Sequence, residues 1–162
     1  MKGNYGFDAS GSLADEQQDV IDEIFEVLAS GESSFAFHGA AGTGKTYTCG
    51  HLASEIVKRY GSNSILFISP THAASRILRT KLPRATAKVL TVAQFVNARP
   101  HRVFDETKFA LPCADEHEKI AENLHTYYLG GKDGHKLNLK LVMSDESSMI
   151  TQASADCIHS IC

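Results

Sequence analysis

Residues 35–61 read FAFHGAAGTGKTYTCGHLASEIVKRYG, and this stretch decides the fold. Phe35 to His38 form a short strand-like run, and the last part carries apolar side chains at helical spacing up to Gly61. Gly39 to Thr46 lies between them and fits the pattern G-x-x-x-x-G-K-[ST]. A strand, a glycine-rich loop and a helix in this order predict a turn whose backbone N–H groups converge on phosphates at a helix N-terminus.

The residue types in this loop predict a nucleotide ligand. Lys45 is expected to reach the β- and γ-phosphates, and the Thr46 hydroxyl is expected to take one position on Mg²⁺. We therefore expect ATP or ADP with Mg²⁺. The expected nucleotide contacts in the loop are Gly39, Ala40, Ala41, Gly42, Thr43, Gly44, Lys45, Thr46 and Tyr47.

An acidic pair follows the last apolar run of the chain. Residues 139–144 (LKLVMS) predict a buried parallel strand, and Asp145 and Glu146 come directly after it. A phosphate loop needs an acidic partner at the end of a neighbouring strand, so Asp145 is expected to hold Mg²⁺ through water. Glu146 is expected to orient and deprotonate the attacking water. Lys45, Asp145 and Glu146 are thus the candidate catalytic residues.

The remaining pattern predicts alternating strands and helices. Helical spacing of apolar residues indicates helices over 15–29 and 73–80, and apolar runs indicate strands over 64–69 and 88–91. Alternation of this kind predicts an α/β fold in which a parallel sheet is flanked by helices. Residues 1–12 are expected to be a flexible lead-in, and the polar, irregular stretch 97–138 is expected to be an insertion.

Composition limits the class of protein. The chain has 162 residues, of which 43% are hydrophobic, enough for one core of ordinary domain size. No apolar run is long enough to span a bilayer and no signal-peptide pattern is present, so we expect a cytoplasmic protein with reduced cysteines. A zinc site is an alternative, but the spacings are irregular: the candidate ligands are Cys113, His117, Cys157, His159 and Cys162, with His101 and His125 nearby.

The charge is distributed unevenly along the chain. Although the formal net charge is -3, residues 56–104 contain nine Lys or Arg residues and no Asp or Glu. Such asymmetry fits a surface that faces a polyanion, and it fits equally a solvated basic face that pairs with acidic helices elsewhere. Composition alone does not decide between these interpretations.

Segments along the chain resemble, in order, motifs of the RecD/Dda branch of superfamily 1 DNA helicases, which move 5′ to 3′ on DNA. They are LADEQ (13–17), GAAGTGKT (39–46), SPTHAA (69–74), TVAQF (91–95) and DESSM (145–149). The resemblance implies that Gln17 reads the adenine edge, although Ala14 replaces the family's usual asparagine. It also implies that single-stranded DNA is contacted by Pro70, Thr71, His72, Arg76, Arg79, Thr91 and Gln94.

The resemblance also implies a domain organisation. Residues 13–96 and 139–162 would form a RecA-like ATP-binding motor domain, incomplete at its C-terminus, and 97–138 would be an insertion that in relatives carries a small wedge. A second RecA-like domain with an arginine finger follows in the family, so the full-length parent would be the ATP-dependent helicase and this chain alone would hydrolyse ATP weakly. The alternative is a P-loop switch module that binds nucleotide without acting on DNA.

Overall fold

The computed structural model describes residues 11–31, 34–40, 42–61, 63–82, 88–96, 99–103, 106–123 and 139–161. Predictions for Ala41, Cys162, residues 1–10 of the lead-in and residues 97–98, 104–105 and 124–138 of the insertion lie outside these ranges. The elements are, in chain order, α1 (Asp15–Ser30), α2 (Lys45–Tyr60), β1 (Ile65–Ser69), α3 (His72–Lys81), β2 (Lys88–Thr91), α4 (Val92–Phe95), β3 (Arg99–Val103), β4 (Glu106–Ala110), α5 (His117–Asn123), β5 (Leu141–Ser144) and α6 (Gln152–Ile161). Short 3-10 helices span Ala114–Glu116 and Ser147–Met149.

The main sheet has three parallel strands in the order β2-β1-β5. In the centre, β1 pairs with both neighbours, so that Ile68 lies opposite Leu90 on one side and Ser144 on the other. All five residues of β1 are buried, as expected for a parallel strand covered on both faces. The predicted α/β fold with a helix-flanked parallel sheet is confirmed.

Two hydrophobic clusters lie on opposite faces of the sheet. On one face, Phe67 of β1 packs with side chains of α1 and α2 such as Ile24 and Ile56. On the other face, Ile68 packs with Phe95 of α4 and with residues of α5 and α6. Because β1 alternates its side chains between the two clusters, its register fixes which helices lie on each side.

The predicted strand over Phe35–His38 is wrong. Residues 34–40 have no regular secondary structure and lie outside the sheet, and within the described residues no ladder hydrogen bonds join them to a strand. Phe35 and Phe37 are instead half-buried against the cluster that contains Phe67. Packing of alternate phenylalanines therefore accounts for the apolar pattern without strand pairing.

Part of the predicted insertion has regular structure. Strands β3 and β4 form an antiparallel hairpin, with Arg99 opposite Ala110, that is separate from the main sheet. After it, α5 contributes Ile120 to the core cluster shared with α6. No helix among the described residues is long and apolar enough to cross a membrane.

Candidate functional site

The glycine-rich loop ends at Gly44, which is the N-cap of α2. Gly44 has φ 80° and ψ 17°, in the left-handed region that glycine adopts without steric cost. A Cβ atom at this position would lie only 2.5 Å from the Gln17 side-chain nitrogen. The backbone conformation therefore favours glycine at this position, and a larger residue would have to displace the end of the Gln17 side chain.

Internal hydrogen bonds shape the loop. The Thr43 hydroxyl donates to the Ala40 carbonyl (2.9 Å), and the Lys45 ammonium donates to the carbonyls of Gly39 (2.7 Å) and Ala40 (2.8 Å). An ammonium group has three donors, so these bonds leave one N–H of Lys45 for an anion. Thr46 follows as the second residue of α2 and is half-buried.

Gln17 connects helix α1 to the loop. Its side-chain oxygen accepts from the Ala14 N–H (3.1 Å), and its side-chain nitrogen donates to the Thr43 carbonyl (3.1 Å). In the first bond, Gln17, the third residue of α1, satisfies the backbone N–H of the N-cap residue Ala14, which has no side-chain acceptor of its own. The side chain that the resemblance assigns to adenine therefore borders the phosphate loop.

Tyr47 lies on the first turn of α2. Its hydroxyl donates to the Gly11 carbonyl (2.8 Å), and its ring meets the His51 ring edge-on, with centroids 4.7 Å apart. The hydrogen bond to Gly11 holds the segment before α1 against the helix that follows the loop, and the ring contact lies within α2.

Asp145 and Glu146 follow the C-terminal end of β5. The Asp145 N–H donates to the Ile68 carbonyl of β1 (3.2 Å), and the Asp145 carboxylate accepts from the Glu146 N–H (3.1 Å). Both side chains are exposed. Glu146, with φ 56° and ψ 45°, has the left-handed backbone that among the described residues is otherwise seen only at glycines. This conformation costs about 1 to 2 kcal/mol for a residue with a side chain.

The electrostatics of Cys49 indicate that Asp145 lies near helix α2. Burial, and after it the negative charge of Asp145, raise the pKa of the Cys49 thiol to about 12. Cys49 lies one helical turn after Lys45, so Asp145 acts on the same end of α2 that carries the loop lysine. The sequence pattern does not indicate this proximity, because Cys49 fits there as an ordinary apolar helix position.

The residues assigned to DNA by resemblance fall into two groups. Thr71 caps α3, accepting from the Ala74 N–H (3.1 Å), and the exposed His72 and Arg76 follow it on the helix, after the half-buried Pro70. These four residues lie on or near the surface at the C-terminal end of β1.

The second group has partners inside the protein. Arg79 is exposed, but its guanidinium donates to the Val89 carbonyl of β2 (2.6 Å). Thr91 is 2% exposed and forms a capping box with Gln94: each side chain accepts a hydrogen bond from the other residue's backbone N–H (3.1 Å and 2.9 Å). Structural roles therefore account for the hydrogen bonds that these three side chains make.

The cysteines and histidines do not form a described metal cluster. His117, the first residue of α5, contacts two residues of α6. Its Nδ1 is 2.7 Å from the Ser160 hydroxyl and its Nε2 is 3.5 Å from the Cys157 sulfur. Burial raises the pKa of the Cys157 thiol. Within the described part of the chain, no three His, Cys, Asp or Glu side chains group to hold a metal, and Cys49, Cys113 and Cys157 are free thiols.

Comparison with known proteins identifies the family. The family model described as "AAA domain" matches residues 12–162. No curated protein and no solved structure matches the chain. The matched range includes the glycine-rich loop, the end of β1 and the acidic pair, and the family is one of P-loop domains that includes RecD-like helicases. Because the match spans nearly the whole chain, the protein belongs to the AAA domain family of P-loop proteins, whose fold is that of a nucleotide-binding domain.

Proposed function

We propose that this chain is the ATP-binding motor domain of an ATP-dependent DNA helicase, an ATP hydrolase that moves along single-stranded DNA together with a second RecA-like domain. One observation carries the proposal. The Asp145 N–H donates to the Ile68 carbonyl, so the candidate metal-binding acid lies beside the strand that leads directly into the polar loop Pro70–His72. A candidate metal-binding acid and the candidate nucleic-acid residues thus lie at the same edge of one sheet, the edge at which open α/β sheets bind ligands.

The loop residues fit a nucleoside triphosphate. A Cβ atom at Gly39 would lie 2.8 Å from the Thr43 hydroxyl, and one at Gly44 would lie 2.5 Å from the Gln17 amide nitrogen, so a side chain at either position would displace a polar group of the loop or its neighbour. Backbone N–H groups, the N-terminus of the 16-residue helix α2 and the remaining N–H of Lys45 form a donor set for phosphate oxygens. Gln17 keeps one side-chain donor and one acceptor site, the pair that an adenine edge requires.

Thr46 and Asp145 are the residues that would hold Mg²⁺, whose bound charge neutralises the phosphates during transfer. Glu146 lies next to Asp145 and is exposed, so its carboxylate is free to accept a proton from water. An arginine finger from a second domain would add about 10³ to 10⁵ in rate, and therefore hydrolysis by this chain alone should be slow.

The surface of α3 supports a nucleic-acid partner. His72 and Arg76 are exposed on a helix that contains no acidic residue, and the wider segment 56–104 contains none either. Thr71 adds a hydroxyl at the start of this helix. Basic and hydroxyl side chains of this kind contact phosphate oxygens of nucleic acids. We give Arg79, Thr91 and Gln94 a smaller part in the proposal, because their side chains have internal partners.

The test measures nucleotide and DNA binding separately. Lys45→Ala should abolish binding of a fluorescent ATP analogue. Arg76→Ala should weaken binding of fluorescein-labelled oligothymidine and reduce its salt dependence, because one phosphate contact is lost. Lys58→Ala is the matched control, since it removes the same charge from a lysine that pairs with Glu55 on α2 (2.5 Å).

Two outcomes separate the proposal from its alternative. Salt-sensitive oligothymidine binding that Arg76→Ala weakens and Lys58→Ala does not would support a DNA motor. Nucleotide binding that depends on Lys45, without any salt-sensitive DNA binding in this chain or in a longer parent protein, would establish the switch module instead. Glu146→Gln should retain ATP binding while it lowers the hydrolysis rate in a protein that contains both motor domains.

A further inference from the structure

Two buried serines lie beneath the polar loop Pro70–His72. Ser69, the last residue of β1, is 0% exposed, and Ser75, on the first turn of α3, is 2% exposed. Their hydroxyl oxygens are 2.6 Å apart, and the Ser69 hydroxyl also donates to the Thr71 carbonyl (3.1 Å). The three residues form a small closed network that joins the end of the strand to the start of the helix.

The direction of these hydrogen bonds follows from the number of donors. A hydroxyl group has one hydrogen, and that of Ser69 is directed at the Thr71 carbonyl, so the Ser75 hydroxyl must donate to Ser69. The Thr71 carbonyl also accepts the Ser75 backbone N–H (3.0 Å). Meanwhile the Thr71 hydroxyl accepts from Ala74. Thr71 is therefore held both by its carbonyl and by its side chain.

Ser69 also lies where the central strand β1 contacts both of its neighbouring strands. Ser69 lies opposite Thr91 of β2, and the carbonyl of the preceding residue, Ile68, accepts from Asp145 at the end of β5. A shift of the Asp145 backbone would thus act on the residue next to Ser69, and from there on Thr71 through the hydroxyl network.

We propose that Ser69 and Ser75 are positioning residues that hold the Pro70–His72 loop in the geometry that binds single-stranded nucleic acid. The inference rests on the proposed function of that loop. Without the network, the Thr71 carbonyl loses the hydrogen bond from the Ser69 hydroxyl, and the loop must be ordered when the nucleic acid binds, which weakens affinity. Neither serine touches the nucleic acid in this arrangement.

The test compares the loop serines with a buried serine at the other end of β1. Ser64 is 1% exposed, and its hydroxyl donates to the Gly61 carbonyl (2.6 Å), so Ser64→Ala removes a similar bond away from the loop. Ser69→Ala and Ser75→Ala should each weaken oligothymidine binding about fivefold, which corresponds to the net free energy of one hydrogen bond that orders the loop. Nucleotide affinity should not change. Ser64→Ala should change oligothymidine affinity less than twofold.

A second measurement follows the loop directly. Hydrogen exchange at the Ala74 and Ser75 amides should accelerate in Ser69→Ala and not in Ser64→Ala, because those amides donate to Thr71. If an alanine variant does not fold, Ser75→Cys is the alternative, because a thiol is similar in shape to a hydroxyl and is a weaker donor. It should also weaken oligothymidine binding and accelerate the exchange of these amides.

The outcomes distinguish this inference from the function on which it rests. If the wild-type chain binds oligothymidine and the loop variants bind as Ser64→Ala does, the positioning role is wrong and the DNA function stands. If neither the wild-type chain nor a longer parent protein binds oligothymidine, both the positioning role and the DNA function are wrong. Weakened affinity in the loop variants with equal loss of nucleotide binding would indicate general damage to the fold and would also overturn the positioning role.

Discussion

Replacing Gly44 with alanine tests the account of the phosphate loop quantitatively. Gly44 (φ 80°, ψ 17°) and Gly31 (φ 78°, ψ 14°) have nearly the same backbone conformation. Alanine in this region loses about 1 to 2 kcal/mol, of which about 0.4 to 1 kcal/mol is recovered from the lower entropy of the unfolded chain. A Cβ at Gly31 has no atom within 4 Å, whereas at Gly44 it lies 2.5 Å from the Gln17 amide nitrogen.

The difference between the two variants isolates the contact with Gln17. Gly31→Ala should lower the free energy of unfolding by about 1 kcal/mol, from backbone strain alone. Gly44→Ala should lower it by about 2 kcal/mol, because the Gln17 amide must also leave the Thr43 carbonyl, a hydrogen bond worth about 0.5 to 1.5 kcal/mol.

Urea denaturation followed by circular dichroism measures both free energies, and a cycle with Gln17→Ala separates the two terms. In the Gln17→Ala background, Gly44→Ala should destabilise the chain no more than Gly31→Ala does. Equal losses for the two glycine variants in the wild-type background would refute the close approach of Gln17 to Gly44.

Four further predictions concern stability and thiol chemistry. Glu146→Asn should raise the free energy of unfolding by up to about 1 kcal/mol in urea denaturation, because asparagine tolerates the left-handed region better than glutamate; a decrease would show that the strain is absent. The pKa of Cys49 is raised from 9.0 to about 12, so the folded state holds the thiol proton more tightly, and stability should decline as the pH rises from 9 towards 12. Asp145→Asn should lower that pKa and speed alkylation of Cys49, as read by peptide mass spectrometry, whereas an unchanged rate would contradict the proximity of the two groups. Arg59→Ala should lower the unfolding free energy by about 0.5 to 1 kcal/mol, because its guanidinium lies 3.7 Å from the centre of the Phe25 ring. The control repeats Arg59→Ala in a Phe25→Leu background, which has no ring at this position. If Arg59→Ala costs no more in the wild-type background than in the Phe25→Leu background, the stacking adds nothing.

Features set by local chemistry could be predicted from the sequence. The helices follow from apolar spacing such as that of Ile21 and Ile24, both buried in α1. Strand β1 follows from an unbroken apolar run, and the loop conformation follows from the glycines and their fixed spacing. These signals depend only on residues close together in the sequence, and therefore they can be recognised without knowledge of the tertiary contacts.

Features that depend on distant partners could not be predicted. Phe35 and Phe37 alternate as in a strand, and only the absence of a neighbouring ladder in the described residues shows that they pack without pairing. The β3–β4 hairpin has few apolar residues, so no period of two is visible. Ser69 and Ser75 read as unremarkable polar residues until the fold brings their hydroxyls together.

The hydrogen bonds of Lys45 have a consequence for which anions the loop accepts. The ammonium already donates to two loop carbonyls, at 2.7 and 2.8 Å. An anion that moves the ammonium away from these carbonyls must therefore replace more than one hydrogen bond. A single small anion such as chloride offers fewer acceptor atoms than a chain of phosphates. A polyphosphate can engage the loop N–H groups and the ammonium together, so the resting bonds of the lysine act as a threshold that favours chains of phosphates over the simple salts present around the protein.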